Sequence, residues 1–221
     1  MKILGINCLN HDAAVTVIED GEILFAAHSE RYSRLKNDKF LNNEIFEEAL
    51  SFGEPDKIAY YEKPVSKKMR QLYSGQWRTA ISLENLPSRY LKQFIGKRKI
   101  SYVDHHESHA AAGYYTSPYN EAVVVVIDGI GEWDVCTFWH GKDNNLKKIK
   151  SIKYPNSLGL FYSAMTQRID LKPCEEEYIL MGMSAWGNPI YYEKIMDDFF
   201  EKDSVLSLRN NIHRGIGNYL E

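Results

Sequence analysis

Residues 13–27 read Ala-Ala-Val-Thr-Val-Ile-Glu-Asp-Gly-Glu-Ile-Leu-Phe-Ala-Ala, two apolar runs joined through Glu19-Asp20-Gly21. Asp-Gly between such runs signals a tight hairpin turn with positive φ, so residues 13–18 and 22–27 are predicted to pair antiparallel. Residues 1–8, Met-Lys-Ile-Leu-Gly-Ile-Asn-Cys, read as a further short buried strand, which makes a three-stranded meander. Residues 44–51 then place Ile45, Phe46, Ala49 and Leu50 on one helical face, and residues 57–61 return to strand.

The same order recurs downstream. Residues 122–127, Ala-Val-Val-Val-Val-Ile, form a continuous apolar run, as expected of a strand covered on both faces. Residues 135–140 and 146–152 follow as strands around a turn at 141–145. In both copies the first strand ends in a polar loop with an aspartate: Asn10-His11-Asp12, and Asp128-Gly129-Ile130-Gly131-Glu132. The expected fold is α/β, with two β-meander-plus-helix (ribonuclease H-like) subdomains in tandem, the organisation of the actin, hexokinase and Hsp70 superfamily. Residues 1–120 would be the first subdomain and 121–221 the start of an incomplete second one. In that fold the hairpin loops face nucleotide phosphates, a task suited to small residues with accessible backbone N–H groups. Between the units, residues 64–100 interleave Lys67, Lys68, Arg70 and Arg78 with Met69, Leu72, Tyr73 and Trp77, as expected of amphipathic surface helices.

The densest histidine cluster follows a short strand at 100–103: Asp104-His105-His106-Glu107-Ser108-His109-Ala110-Ala111-Ala112-Gly113. The alanines favour helix. On a helix His105 and His109 lie one turn apart on one face, a spacing that lets two imidazoles reach one ion. His106 points about 100° away and is not assigned as a ligand. HExxH is absent, so a zinc-protease reading fails. Alone, an HxxxH pair is better explained by surface histidines behind an Asp104 cap. Here it sits at a strand end, and Asp128 ends the next strand. Two histidines and one carboxylate suit iron(II), with zinc or manganese as alternatives.

The remaining composition narrows the function classes. A formal net charge of −3 gives no footprint for nucleic acid, and the run Lys97-Arg98-Lys99 reads as a solvated turn. Cys8, Cys136 and Cys174 are too few and scattered for a disulfide framework. No stretch has the length of a membrane span or signal, so a cytoplasmic protein is expected.

Four blocks in order resemble the NodU/CmcH-type O-carbamoyltransferases. They are Gly5-Ile6-Asn7 through Asn10-His11-Asp12-Ala13-Ala14 with Asp20-Gly21; Ser29-Glu30-Arg31-Tyr32-Ser33-Arg34-Leu35-Lys36-Asn37-Asp38; His105 through Ala111 followed by Asp128-Gly129; and Glu177 through Met181-Gly182-Met183-Ser184-Ala185-Trp186-Gly187. The resemblance implies an N-terminal domain similar to threonylcarbamoyl-transferring proteins. Such a domain receives a carbamoyl-adenylate, made from carbamoyl phosphate and ATP in a YrdC-like domain, and passes the carbamoyl group to the hydroxyl of a small-molecule acceptor.

By the same resemblance, His105, His109 and Asp128 hold a divalent metal, with a further aspartate from later in the chain. His11 and Asp12 are candidates to orient the acceptor hydroxyl or act as general base. Lys36, Arg31 and Arg34 suit phosphate or carbamoyl-oxygen contacts. Gly129, Gly131, Gly182 and Gly187 are candidates for close backbone approach to a ligand or a neighbouring strand. Where the family has histidine before the aspartate of the second block, this chain has Asn37. The YrdC-like part and the late aspartate have no counterpart here and are expected in a longer form or on a separate chain. A homodimer is also compatible. The alternatives are a non-catalytic metal- or nucleotide-binding module and a relative of the tRNA threonylcarbamoyl transferases.

Overall fold

The computed structural model describes residues 1–202 and 204–212, with only the backbone at Val205. The chain divides into two compact units, one comprising Met1–Lys68 and Arg78–Ser108, the other Met69–Trp77 and the chain from His109 onward. None of the described helices is long and apolar enough to cross a membrane.

The first unit opens with β1 (Lys2–Asn7), β2 (Ala14–Glu19) and β3 (Glu22–His28). These pair as the antiparallel meander that the Asp-Gly turn predicts, and Asp20 and Gly21 both have positive φ, 50° and 96°. A short helix α1 (Glu30–Ser33) and the longer α2 (Asn43–Ser51) follow. The Asn42 side chain caps α2 by accepting a bond from the Ile45 N–H at 2.9 Å, satisfying one of the helix's orphan donors. β4 (Lys57–Tyr60) returns parallel to β1 on its other edge. Helices α3 (Pro64–Tyr73), α4 (Trp77–Ile81), α5 (Pro87–Tyr90) and α6 (Lys92–Ile95) lead to β5 (Ile100–Tyr102), which is parallel to β4. The sheet order is therefore β3-β2-β1-β4-β5. Leu4, Ile6, Val15 and Val17 from the strands meet Ile45, Phe46 and Ala49 of α2 in one core. Each such fully buried aliphatic side chain contributes roughly 1.5–3 kcal/mol relative to exposure.

The helices between β4 and β5 are amphipathic as expected, with one correction. Arg70 is buried instead of lying on a solvated basic face. Its Nε donates to the Glu132 carbonyl at 3.1 Å and its Nη1 to Gln76 Oε1 at 3.3 Å. One backbone carbonyl in the β6–β7 turn and one side-chain amide oxygen replace solvent around the guanidinium, a tertiary arrangement that sequence periodicity does not register.

Helix α7 (His105–Tyr115) leads to the second meander: β6 (Glu121–Gly131), β7 (Asp134–Lys142) and β8 (Asn145–Lys153), all antiparallel. Ala110 of α7 packs on Val126 and Trp139. The ring of Tyr114 stands so near Gly141 that an added Cβ would lie 2.6 Å from it, so this position requires glycine. Helix α8 (Leu158–Arg168) buries Leu160 and Ala164 against Val135 and Tyr154. α9 (Glu177–Ser184), α10 (Tyr192–Phe199), β9 (Phe200–Glu201) and β10 (Ser204–Leu208) complete the described elements. The expectation that residues 122–127 are covered on both faces is corrected. Val124 and Val126 face the α7 side, but Val123, Val125 and Ile127 are 67%, 49% and 58% exposed. A continuous apolar run reports that both faces are apolar, not what lies on each.

Candidate functional site

The loop from Cys8 to Ala13, between β1 and β2, is held by backbone bonds to a distant segment. Leu9 N donates to Lys39 O at 2.7 Å and Ala13 N to Asp38 O at 2.6 Å. Asn7 Nδ2 donates to Asp12 O at 3.0 Å, and the Tyr60 hydroxyl donates to Cys8 O at 2.6 Å. Leu9 and Asp12 take left-handed conformations, φ 72° and 49°. Such strain persists only where surrounding bonds over-determine it, and these four supply that restraint. At the tip His11 Nδ1 lies 2.7 Å from Asp12 Oδ2, with the imidazole largely in solvent. If Nδ1 donates to the carboxylate, Nε2 keeps its lone pair and points no proton at an incoming group. Beneath the loop, burial pushes the Cys8 thiol up to about 12, so it stays protonated.

The same two bonds bring residues 38 and 39, and with them the basic segment, beside the His11-Asp12 loop. Arg31, Arg34 and Lys36 are all exposed. Arg31 Nη2 reaches Glu30 Oε1 at 3.9 Å, while Arg34 closes α1 in a left-handed conformation at φ 60°. Asn37 is also left-handed, at φ 57°.

The start of α7 is tied to the strand ends of the first sheet. Ser108 Oγ donates to Tyr61 O at 3.0 Å, Lys63 Nζ pairs with Asp104 Oδ2 at 2.9 Å, and the Tyr61 ring stands edge-on to His105, centroids 5.3 Å apart. His105 and His106 are both buried, which removes the reading of a surface histidine cluster for these two, whereas His109 is exposed.

Asp128 sits where the β6–β7 register shifts, between the pairs Ile127↔Cys136 and Gly131↔Asp134. Its Oδ1 accepts the Gly129 N–H at 2.7 Å. Ser157 caps α8 by accepting Leu160 N at 3.0 Å and donates its own hydroxyl proton to Gly129 O at 2.6 Å. A Cβ at Gly159 would lie 2.8 Å from Asp128 O, so the first turn of α8 rests directly on the Asp128 backbone. Arg70 holds Glu132 at the other end of this bulge. Gly129 has only Leu160 near it, at 3.9 Å from an added Cβ, and Gly131 is buried in the bulge. Gly182, within α9, has nothing within 4 Å of an added Cβ, and Gly187 meets only Ser184 O at 3.9 Å.

One ligand atom each from His105 and His109 on α7 and from Asp128 on β6 all lie within 4.8 Å of one another. Metal–ligand bonds of about 2.0–2.2 Å place adjacent ligands roughly 3 Å apart, within reach of small side-chain rotations here. The residues thus fit a divalent ion in donor type and in spacing. Sequence reasoning overlooked the residues that place these groups: Arg70, Tyr61, Ser108, Ser157 and Gly159. Only Ser157, a helix-capping type ahead of the apolar Leu158–Arg168 segment, carried a readable signal.

Comparison with known proteins bears on this arrangement. The model of the family described as "Carbamoyltransferase N-terminus" matches residues 2–73 and 56–214. An uncharacterized protein of Synechocystis sp., sll1178, is 32% identical over 237 residues, covering 95% of this chain and 38% of that protein. Nodulation protein NolNO of Sinorhizobium fredii is 25% identical over 208 residues, covering 88% of this chain and 30% of its own. This chain thus spans less than two fifths of the length of these relatives. Among solved structures, the Aquifex aeolicus PPX-GPPA enzyme is weakly similar, with TM-score 0.39 and 15% identity over 75% of this chain and 55% of that one.

Proposed function

The chain belongs to the carbamoyltransferase N-terminus family, and on that premise we propose that it carries the transfer half of a carbamoyltransferase. The reaction moves a carbamoyl group from carbamoyl-adenylate, formed from carbamoyl phosphate and ATP, to the hydroxyl of a small molecule. The observation that carries this reading is the convergence of His105, His109 and Asp128 ligand atoms within 4.8 Å, in a chain of this family.

In this reading His105, His109 and Asp128 hold a divalent cation, iron(II) by donor type, with zinc or manganese as substitutes. When bound, the ion supplies Lewis acidity toward a carbamoyl or phosphate oxygen. The chain's own residues do the rest. Asp12 accepts from His11 Nδ1, which orients the ring and leaves Nε2 to take the acceptor's hydroxyl proton as its oxygen bonds the carbamoyl carbon. The bond from that carbon to the adenylate oxygen breaks and AMP leaves. Arg31, Arg34 and Lys36, on the segment bonded to the same loop, offer cationic contacts for the departing phosphate. Manufacture of the adenylate falls to a YrdC-like domain, in a longer form or on a separate chain.

The test mixes this chain with a YrdC-like polypeptide, ATP, carbamoyl phosphate and iron(II), with a polyhydroxyl acceptor present. AMP release that depends on both the chain and the acceptor supports the reading. Adenylate that forms yet is left unconsumed by the chain contradicts transfer and leaves a binding module.

A further inference from the structure

Tyr61, the residue after β4, meets the first turn of α7 twice. Its ring stands against the His105 imidazole, centroids 5.3 Å apart and planes at 60°. Its carbonyl oxygen accepts a hydrogen bond from Ser108 Oγ at 3.0 Å. Asp104 O, 3.2 Å from the same hydroxyl, already accepts the Ser108 N–H at 2.9 Å, which leaves the hydroxyl proton to Tyr61.

The backbone does not set the plane of a histidine ring. The torsion that turns the ring is broad and roughly two-fold, so a loose imidazole samples orientations in which its lone pair misses an ion. Metal-binding histidines are ordinarily held by a neighbour outside the ligand set. His105 is 8% exposed and has two rings against it, Tyr61 and, with centroids 6.1 Å apart, His106. His109, one helical turn on, is exposed. The two imidazoles therefore differ in kind. Packing holds the first in one orientation, and the second loses its freedom only when an ion arrives. The Ser108 bond acts on a second coordinate, because it fixes the roll of the helix that carries both histidines.

We propose that Tyr61 is the positioning residue of the divalent-metal site. Its ring sets the plane of His105, and its carbonyl, through Ser108, sets the roll of α7, so one ligand is in place before the ion binds. The proposal rests on the reading of His105, His109 and Asp128 as that site.

The experiment titrates cobalt(II) into the metal-free chain and follows the visible absorption of the bound ion, which reports both affinity and coordination geometry. Tyr61→Leu removes the ring and should weaken cobalt binding by about 10-fold to 100-fold, with a changed spectrum, the range for loss of an outer partner of a ligating histidine. Tyr61→Phe keeps the ring and should match the parent in affinity and spectrum. Ser108→Ala deletes the donor to the Tyr61 carbonyl, puts a good helix former in its place, and should weaken binding by roughly tenfold. If Tyr61→Leu fails to fold, Ser108→Ala decides. Parent affinity and spectrum in Tyr61→Leu or in Ser108→Ala overturn the proposal, while loss of cobalt by His105→Ala leaves the metal site standing. Equal weakening by Tyr61→Phe and Tyr61→Leu also overturns it, since the hydroxyl and not the ring would then be at work. A parent that binds no cobalt, or a His105→Ala chain that binds it as the parent does, overturns the metal site and this proposal together.

Discussion

Gly159 rests on Asp128: a Cβ at residue 159 would stand 2.8 Å from the Asp128 carbonyl oxygen and equally near the Gly129 Cα and N. The helix that begins at Leu158 therefore sets the height of the loop that presents the Asp128 carboxylate. In an ordinary helix, Gly→Ala adds about 1 kcal/mol of stability. Here the neighbour is backbone and cannot rotate aside. Gly159→Ala should instead lower unfolding stability by about 1–3 kcal/mol in urea titration, and should weaken divalent-metal binding more than stability. A stabilised variant with unchanged metal affinity would contradict this coupling.

Arg70 acts on the other end of the same bulge through Glu132 O. Arg70→Lys keeps the charge but lacks the planar fork that serves both Glu132 O and Gln76 Oε1. The expected cost is about 1–3 kcal/mol, from a buried carbonyl left without its donor. Chemical denaturation of the single variant measures it, and a change within experimental scatter would show that the bond contributes nothing.

The meander that organises the first unit was legible because its signals are local: apolar runs at 13–18 and 22–27 joined by an Asp-Gly turn whose two residues both take positive φ. His105 and His109 were legible for a similar reason, one helical turn on one element. What escaped was tertiary. Nothing in a run of lysines and arginines singles out Arg70 as the buried one, and Gly159 looks like any helix glycine until the Asp128 backbone is beneath it. The apolar run of β6 was read correctly as strand and wrongly as covered on both faces, because an apolar run reports the character of each face and not what lies on it.

His11 and Asp12 should act as a unit. In the transfer assay, His11→Ala should lower turnover by about 100-fold to 10,000-fold, the range for a lost general base. His11 is largely in solvent, so the variant should melt as the parent does. Asp12→Asn should lower turnover and shift its pH dependence, because the amide cannot hold the Nδ1 proton as a carboxylate does. Equal turnover in parent and His11→Ala would remove the base assignment.

Cys8 predicts an alkaline limit to stability. Burial raises its folded-state thiol to about 12 from an ordinary value of 9.0, so the folded chain retains a proton that the unfolded chain loses. Its contribution is complete below pH 9 and is lost as pH rises from about 9 to 12, at up to about 1.4 kcal/mol per pH unit. Cys8→Ala should flatten this part of the stability–pH curve. An unchanged slope in the variant would assign the alkaline loss to other groups. Below pH 9 iodoacetamide should label Cys174, which is exposed, and spare Cys8 until the chain unfolds.

The central claim, that His105, His109 and Asp128 form one divalent-metal site, is tested most directly by elemental analysis of iron-, zinc- and manganese-loaded protein. His109→Ala is the decisive variant, since its side chain is exposed and its loss leaves the core intact. The parent should retain about one ion per chain after gel filtration, and His109→Ala and Asp128→Asn should each retain close to none, with His11→Ala unaffected. Retention of the ion by His109→Ala at the parent's level would contradict the site.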